Sequence, residues 1–393
     1  MSASVDSGSK PPLARTPLRV VSVQIEAHFR NVQRNAEKVK QMLQEKLAAG
    51  TEAEHEAGSE VDLIVLSEMV LTGYMFRDRA EVEGYIEWPL RNAVAPAEEA
   101  VNEASSSKTA TPTATPTLDL CRSLAKHYSC YVIAGVPVRA PLTLPTPSHP
   151  HSISTSFDAR PSPDDRKVSG LPPPESEKEQ GWYNAALLVD PKGELVHLFR
   201  KHFLYEAEEG WASEGPGFTS ITLPHPRDPC TSFKLGCGIC MDLSPHTFSA
   251  PFDKYEFSTW AAKEECDVVA CPMAWLAMEQ KQPLEESPNA EASKTAEVGS
   301  DNSQEDSDEE ERQPLHPDQA DPRMLNYWAL RLMPLVRQVG RTTTVVLCNR
   351  IGYERGTTFG GSSCVLKLGS NKAMLLAAAG SGTEEVVGAE ASL

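Results

Sequence analysis

The sequence Lys234-Leu-Gly-Cys-Gly-Ile-Cys-Met-Asp242 carries a short apolar strand into a glycine-rich turn and then into a cysteine. Gly236 and Gly238 permit the tight backbone path and the positive φ that a sharp strand-to-helix turn needs. Cys240 follows them, so we expect its sulfur at the end of a sheet, near the Met241 backbone N–H. That setting lowers the pKa of a thiol and suits a nucleophile. A buried, unreactive free cysteine is the alternative interpretation.

Strands and helices alternate along the 393 residues around this turn. β-branched and apolar runs predict strands over 18–25, 62–66, 130–138, 267–272, 343–348, 361–368 and 373–379. Apolar spacings of three and four predict helices over 31–47, 118–128, 255–265 and 324–339. A Pro191-Lys-Gly193 turn between two further strands predicts a hairpin. This pattern indicates an α/β fold with mixed sheets and helices on their outer faces.

Two polar segments interrupt the pattern and set the expected domain organisation. Residues 140–180 are dominated by Pro, Ser and charged residues, and residues 281–321 carry 13 Asp/Glu against 3 Lys/Arg. Neither composition buries enough apolar area to order itself. We therefore predict one domain over 17–380 with two inserted loops, an N-terminal tail 1–16 and a C-terminal tail 381–393.

Composition excludes several classes of protein. The net charge of -18 disfavours a nucleic-acid partner, because phosphate binding needs a basic face. No apolar run of membrane-spanning length and no secretory signal is visible, so we expect no membrane partner. Nine scattered cysteines argue for a reducing compartment. We expect the cytoplasm, with a mitochondrial or nuclear fraction left open; the oligomeric state is not indicated.

Four residues form a chemically consistent set. Glu68 directly follows a predicted strand, Lys201 ends another, Glu209 lies eight residues beyond the lysine, and Cys240 follows the glycine-rich turn. A cysteine nucleophile needs a base, its tetrahedral intermediate needs a cation or N–H donors, and an amine leaving group needs a proton. This set supplies all of these without histidine. Taken singly, an exposed glutamate or a surface lysine is the ordinary interpretation.

The same region contains residues that suit other chemistry. Cys237-Gly-Ile-Cys240 is a Cys-x-x-Cys that suits a redox dithiol or half of a zinc site, but no second such pair accompanies it. His202, His225 or His246 would complete a Cys–His dyad, yet no neighbouring residue is seen to orient them. No Walker A or Gly-x-Gly-x-x-Gly sequence follows a strand. We therefore expect neither a metal nor a cofactor.

These motifs together resemble the Glu-Lys-Cys centre of the nitrilase superfamily of carbon–nitrogen hydrolases. Glu68-Met-Val-Leu-Thr-Gly-Tyr74, Arg200-Lys-His-Phe-Leu-Tyr205 and Cys237-Gly-Ile-Cys-Met-Asp242 are most similar to the fungal branch that acts on Asn or Gln at protein N-termini. The resemblance implies an α-β-β-α sandwich with long loop insertions and hydrolysis of linear amides. It implies that Cys240 forms a thioester, with Glu68 as acid and base, and that Lys201 is oriented by Glu209.

For that branch the resemblance implies deamidation of N-terminal Asn or Gln to Asp or Glu. Ammonia is released, and the product feeds N-degron protein degradation. Asp242 is our candidate for binding the substrate α-amino group, with Tyr74 and Trp275 as pocket walls. An ω-amidase or carbamoylase acting on free small amides is the alternative enzyme. A catalytically inactive interaction protein that docks through the acidic segment 281–321 is the alternative outside enzymes.

Overall fold

The computed structural model describes residues 16–48, 60–88, 114–141, 153–155, 180–278 and 316–393, with backbone alone for 48, 153–155 and 180. Within them the strands are β1 Leu18–Gln24, β2 Leu63–Leu66, β3 Tyr131–Pro141, β4 Ile153–Thr155, β5 Gln180–Val189, β6 Leu195–Arg200, β7 Thr219–Pro224, β8 Ser232–Cys237, β9 Val268–Pro272, β10 Thr342–Cys348, β11 Ile351–Glu354, β12 Thr357–Gly360, β13 Cys364–Gly369, β14 Lys372–Ala378 and β15 Glu385–Ala391. The α-helices are α1 Val32–Ala48, α2 Arg79–Val82, α3 Pro116–Tyr128, α4 Glu206–Glu209, α5 Glu256–Lys263, α6 Pro322–Arg331 and α7 Met333–Val336.

Two mixed sheets form the centre of the molecule. The first has the strand order β15-β1-β2-β3-β5-β6 and the second the order β14-β13-β10-β9-β8-β7-β4. In the first, β1, β2 and β3 run parallel; in the second, β8, β9 and β10 do. The sheets pack face to face where β1 meets β10 and where β2 meets β9.

Apolar side chains on the inner faces of both sheets make one core. Val65 of the first sheet and Leu235 and Val268 of the second lie in the same buried cluster. Trp260 of α5 and Trp328 of α6 cover the outer face of the second sheet within that cluster.

A second cluster holds the remaining layer of helices. Leu43 of α1 and Leu124 of α3 pack on Ile64 and Val132, on the outer face of the first sheet. The order helix, sheet, sheet, helix confirms the predicted α-β-β-α sandwich.

The predicted C-terminal tail is wrong. Residues 385–391 form β15, which pairs antiparallel with β1 from Leu18↔Ala391 to Gln24↔Glu385. Val386 and Val387 are buried there. The segment looked like a tail because it is short, and its partner β1 lies more than 350 residues earlier in the chain. Without β15, β1 would be the edge strand of the sheet and would leave a row of backbone N–H and C=O groups unpaired. Pairing with β15 satisfies those groups.

The boundaries of the predicted inserts also change. Residues 140–141 end β3 and residue 180 begins β5, and these two strands pair antiparallel from Val132↔Val189 to Pro141↔Gln180. Residues 316–321 lead into α6, whose first turn is capped by the Asp321 side chain accepting from the Arg323 N–H. Most of both inserts, and residues 1–15, lie outside the described residues.

The helix predicted over 324–339 is two helices. The α6 helix ends at Arg331 and α7 begins at Met333, with Pro334 in its first turn. A proline lacks the N–H that a continuous helix would need at that position. Among the described residues, no helix combines the length and apolarity needed to cross a bilayer.

Candidate active site

Three strand ends bring the predicted residues together. Glu68 follows β2, Lys201 follows β6, and Cys240 follows β8. The Glu68 N–H donates to the Met273 carbonyl at 3.3 Å, which ties the end of the first sheet to the end of the second. Gly135 makes room for this path, since a Cβ there would lie 2.4 Å from the Glu68 Cα.

Lys201 lies between two buried carboxylates. Its Nζ donates to Glu68 Oε1 at 2.8 Å and to Glu208 Oε1 at 2.5 Å, and all three side chains are excluded from solvent. Burial by itself lowers the pKa of a lysine, but the charges of Glu208 and Glu68 more than offset it, and the pKa of Lys201 is raised. The ammonium therefore stays charged beside the cysteine.

Asn184 completes this charge cluster and was missed by the sequence analysis. It lies on β5, and its Nδ2 donates to Glu68 Oε1 at 2.6 Å and to Glu208 Oε1 at 2.8 Å. The backbone carbonyl of Asn184 also accepts from the backbone N–H of Lys201. An asparagine inside an otherwise apolar strand was the available signal, because buried polar side chains need partners.

The carboxylate that orients Lys201 is Glu208, and the prediction of Glu209 is wrong. Glu209 is exposed, whereas Glu208, the preceding residue on the short helix α4, is buried. Glu208 accepts from the Tyr74 hydroxyl at 2.6 Å through the oxygen that binds Lys201, and from the Tyr205 N–H at 3.2 Å through the other. Spacing along the sequence predicted Glu209, because it does not show which of two adjacent glutamates turns towards the lysine; the structure shows that Glu208 does.

Cys240 occupies a strained turn. Its φ is +44°, and it begins a short 3-10 helix, Cys240–Leu243. A positive φ is uncommon outside glycine and is associated with functional sites. Gly236 and Gly238 are not among the residues with positive φ, contrary to the prediction. Gly238 instead gives space to the Phe257 ring, which would lie 2.6 Å from an added Cβ.

The thiol of Cys240 is protonated at rest. Its pKa is raised well above the ordinary value, first by burial and then by the charge of Glu68, while Lys201 and the Ala274 N–H act in the opposite direction. The expected lowering of the pKa is therefore wrong, because desolvation exceeds the effect of the nearby donors. Such a thiol needs a base to act as a nucleophile.

Glu68 has the properties of that base. Burial raises its pKa to about 7, with the Lys201 charge opposing the shift and the Glu208 charge adding to it. Oε1 is engaged by Lys201 and Asn184, whereas Oε2 has no hydrogen-bond partner among the described residues. One oxygen thus holds the group in place, and the other is available to take a proton.

Two of the predicted substrate-binding residues have other contacts. Asp242 is buried and accepts three backbone N–H groups, those of His202, Phe203 and Ile239. The Asp242 carboxylate holds the segment after Lys201 against the turn at Cys240. The prediction that it binds an amine is therefore wrong. Tyr74 gives its hydroxyl to Glu208 and lies against Lys201, with Nζ 5.7 Å from its ring centre.

Trp275, the third predicted wall, follows Ala274, whose N–H points at the cysteine sulfur. Its N–H donates to Asn349 Oδ1 at 2.7 Å, and its carbonyl accepts from Asn349 Nδ2 at 3.1 Å. Its ring is half-buried and packs against Tyr327 and Trp328. The backbone of Trp275 is therefore fixed by Asn349, directly after the Ala274 N–H that contacts the Cys240 sulfur.

A buried ion pair supports the segment after Glu68. Arg350 is fully buried and contacts Glu354 at 2.5 Å. Glu354 accepts the backbone N–H groups of Tyr74 and Met75 at 2.9 and 3.1 Å. Arg350 and Glu354 are four residues apart in the chain, but the hydrogen bonds that Glu354 accepts from Tyr74 and Met75 join residues 280 and 279 positions apart. The sequence gives no sign of such distant contacts.

The residues named in the competing interpretations have other contacts. All nine cysteines are free thiols, and burial raises the pKa of Cys237 well above the ordinary value. His202 bonds the Gly215 carbonyl, His225 faces the Pro17 carbonyl, and His246 faces Glu214. Within the described part of the chain, no three His, Cys, Asp or Glu side chains cluster closely enough to hold a metal.

Comparison with known proteins identifies the family. The model of the carbon-nitrogen hydrolase family matches residues 19–245, more than half of the chain. The chain belongs to the carbon-nitrogen hydrolase family. This hydrolase thus carries the Glu, Lys and Cys side chains of its site within the matched region, and the predicted resemblance to the nitrilase superfamily is confirmed.

Two curated relatives of this hydrolase are both called protein N-terminal amidase. The one from Schizosaccharomyces pombe is 26% identical over 334 residues, which cover 81% of this chain and 83% of the relative. The one from Saccharomyces cerevisiae is 28% identical over 248 residues, 59% of this chain and 41% of the relative. The predicted similarity to the fungal N-terminal branch is confirmed.

Solved structures show the same fold. A crystal structure of N-terminal amidase superimposes with a TM-score of 0.65 at 22% identity, covering 95% of this chain and 97% of that one. Saccharomyces cerevisiae Nit3, a member of branch 10 of the nitrilase superfamily, superimposes with a TM-score of 0.52 at 16% identity, covering 98% and 93%. Both support the α-β-β-α architecture.

Separate substitutions of Glu208 and Glu209 test which of the two glutamates orients Lys201. Glu208→Gln should lower kcat for amide hydrolysis by about 10²-fold, the scale of losing one preorganised group at an oxyanion, because Lys201 loses the partner that orients it. Glu209→Gln, one residue away on the same helix, should leave kcat unchanged. Steady-state ammonia release measures both. A larger loss in the Glu209 variant would reverse the assignment.

Proposed function

We propose that this chain hydrolyses the side-chain amide of Asn or Gln at the N-terminus of proteins and peptides, yielding Asp or Glu and ammonia. The observation that carries the proposal is Lys201 held between Glu68 and Glu208 beside Cys240. The relatives called protein N-terminal amidase support the choice of substrate. So do crystal structures of N-terminal amidase with an Asn-Glu peptide and with a Gln-Val peptide.

The first half of the reaction forms a thioester. Glu68 Oε2 takes the proton of Cys240, and the sulfur attacks the amide carbon. Negative charge builds on the amide oxygen, where the Lys201 ammonium and the Met241 N–H stabilise it. The protonated Glu68 then gives its proton to the departing nitrogen, so that ammonia leaves and the acyl group stays on sulfur.

The second half returns the enzyme to its starting state. Ammonia vacates the space beside Glu68, and a water molecule enters. Glu68 takes one proton from that water as its oxygen attacks the thioester carbon. The second tetrahedral intermediate collapses, the carbon–sulfur bond breaks, and the proton returns to Cys240. Asn184 and Glu208 keep Glu68 and Lys201 in place throughout.

The cellular role belongs to the same proposal. An N-terminal Asp or Glu is the product, and we propose that it marks the protein for degradation through the N-degron pathway. The nine free thiols suit a reducing compartment, for which we propose the cytoplasm.

Ammonia release from matched peptides tests the activity. Asn- and Gln-initiated peptides should be hydrolysed, whereas free glutamine, a carbamoyl amino acid and an N-acetylated Asn peptide should be poor substrates. Mass spectrometry should show a gain of about 1 Da at the first residue, as an amide becomes an acid. Equal turnover of the acetylated peptide, or faster turnover of a free small amide, would favour the ω-amidase or carbamoylase alternative.

A further inference from the structure

The proposed activity requires a group that recognises the free α-ammonium of the substrate. The carboxylates nearest the nucleophile are already occupied. Asp242 accepts three backbone N–H groups. Glu208 accepts from Lys201 and Tyr74, among others. The free oxygen of Glu68 is needed for the cysteine proton. The amine must therefore meet a different acid.

Tyr205 marks where that acid lies. Its ring is half-buried and packs against the cluster that contains Cys240 and against the one that contains Tyr74 and Ala274. Its N–H donates to Glu208 at 3.2 Å, which fixes its backbone to the charge cluster. The residue thus stands between the buried nucleophile and solvent.

The Tyr205 hydroxyl holds the next residue in the chain. It donates to Glu206 Oε1 at 3.1 Å, and the Glu206 side chain is exposed. Burial, followed by the charge and the hydrogen bond of Glu206, raises the pKa of Tyr205 to about 12. The Tyr205 hydroxyl therefore stays protonated at physiological pH and can donate to Glu206. This hydrogen bond positions the Glu206 carboxylate next to a ring that packs against the cluster containing Cys240.

We propose that Glu206, positioned by Tyr205, binds the α-ammonium group of the N-terminal Asn or Gln. This inference rests on the proposed function and names the selectivity residue of that same site. Only one or two methylene groups and the α-carbon separate the amide carbon from the amine, so an acid at the entrance suits an amide that reaches inward to Cys240. An exposed carboxylate also meets the charged amine without first losing its own hydration, unlike a buried one.

Two peptides that differ only in the amine test the inference. One begins with Asn; the other carries a succinamoyl group in its place, which keeps the amide and lacks the α-amino nitrogen. Glu206→Gln keeps an acceptor for the Tyr205 hydroxyl and removes the charge. It should lower kcat/KM on the Asn peptide by roughly 10- to 100-fold, mainly through KM, the scale of a hydrogen bond to a charged group. The succinamoyl peptide should be unaffected.

Glu209→Gln is the matched control, because Glu209 is an exposed glutamate on the same short helix. It should leave the preference for the amine intact. Tyr205→Phe keeps the Glu206 charge but frees it, so it should reduce the preference by less than Glu206→Gln does.

Each outcome bears on one idea. If the wild-type protein does not hydrolyse the Asn peptide, the proposed function fails. If it does, and Glu206→Gln keeps the full preference for the free amine, the role of Glu206 alone is overturned. Equal losses on both peptides would likewise overturn it, since they would show a structural effect.

Discussion

Cys240→Ala is expected to abolish ammonia release from an Asn-initiated peptide, with kcat lower by about 10⁴-fold or more. The sulfur forms the covalent bond to the acyl group, and no other side chain at this position supplies a nucleophile. The fold should persist, because the Cys240 side chain is small and the surrounding charge cluster of Lys201, Glu68 and Glu208 does not depend on it for hydrogen bonds. Circular dichroism and thermal unfolding measure this, alongside ammonia release.

Cys237→Ala is the matched control for that change. Cys237 is also buried, three residues earlier, but it ends β8 within the sheet and is absent from the Lys201 cluster. Its loss should leave kcat nearly unchanged. Trapping with mass spectrometry should show an acyl adduct on the wild-type and Cys237 variants and none on Cys240→Ala. Retained turnover in Cys240→Ala would exclude the thioester route.

Glu68→Gln is expected to lower kcat by about 10²- to 10⁴-fold, the range for removal of a general acid–base group. The amide keeps the size of the side chain and an oxygen for Lys201, but it cannot accept the proton of Cys240. Because the pKa of that thiol is raised by burial, solvent does not replace the lost base. Initial rates with saturating peptide measure the effect.

The pH dependence of kcat/KM tests whether Glu68 is the base that deprotonates Cys240. Its pKa is about 7, raised by burial, so the carboxylate is protonated and inactive as a base below that pH. For the wild-type protein, kcat/KM should fall about tenfold per pH unit as the pH drops below 7. The Glu68→Gln variant should lose this acid limb. A limb that persists in the variant would assign it to another group.

Glu87→Gln controls for burial and titration alone. Burial raises the pKa of Glu87 to about 7 as well, but this carboxylate accepts from the Thr117 and Leu118 N–H groups at the start of α3. The variant should lose some stability as a weakened helix cap, about 1 kcal/mol. Its residual activity should keep the wild-type acid limb. This separates a titrating base from a titrating structural group.

Much of the site follows from local sequence. Glu68, Lys201 and Cys240 each follow a strand whose apolar run is visible in the chain, and sites form at strand ends. Glu68 and Lys201 follow strands of the first sheet, and Cys240 follows a strand of the second. The sandwich follows from alternating strands and helices in the same way. Local pattern failed where a single turn decides orientation, as for Glu208 and Glu209, whose side chains point in different directions on α4.

Contacts between distant segments account for the other differences. The pairing of β15 with β1, the hydrogen bonds that Glu354 accepts from Tyr74 and Met75, and the bond from Asn184 to Glu68 each join residues far apart in the chain. No periodicity or spacing encodes such partners, because each exists only after the sheets have packed. The protonated state of Cys240 belongs here too, since desolvation depends on the whole surrounding core.

The amino-acid sequence by itself determined most of the strands and helices, the three side chains that follow strand ends and the family to which the chain belongs, because strand and turn preferences act over a few residues. Only the tertiary structure decided that Glu208 orients Lys201, that Asp242 accepts backbone N–H groups, and that the Cys240 thiol needs a base to ionise. Burial and hydrogen-bond geometry are properties of the packed molecule, and they set the charges on which the chemistry depends.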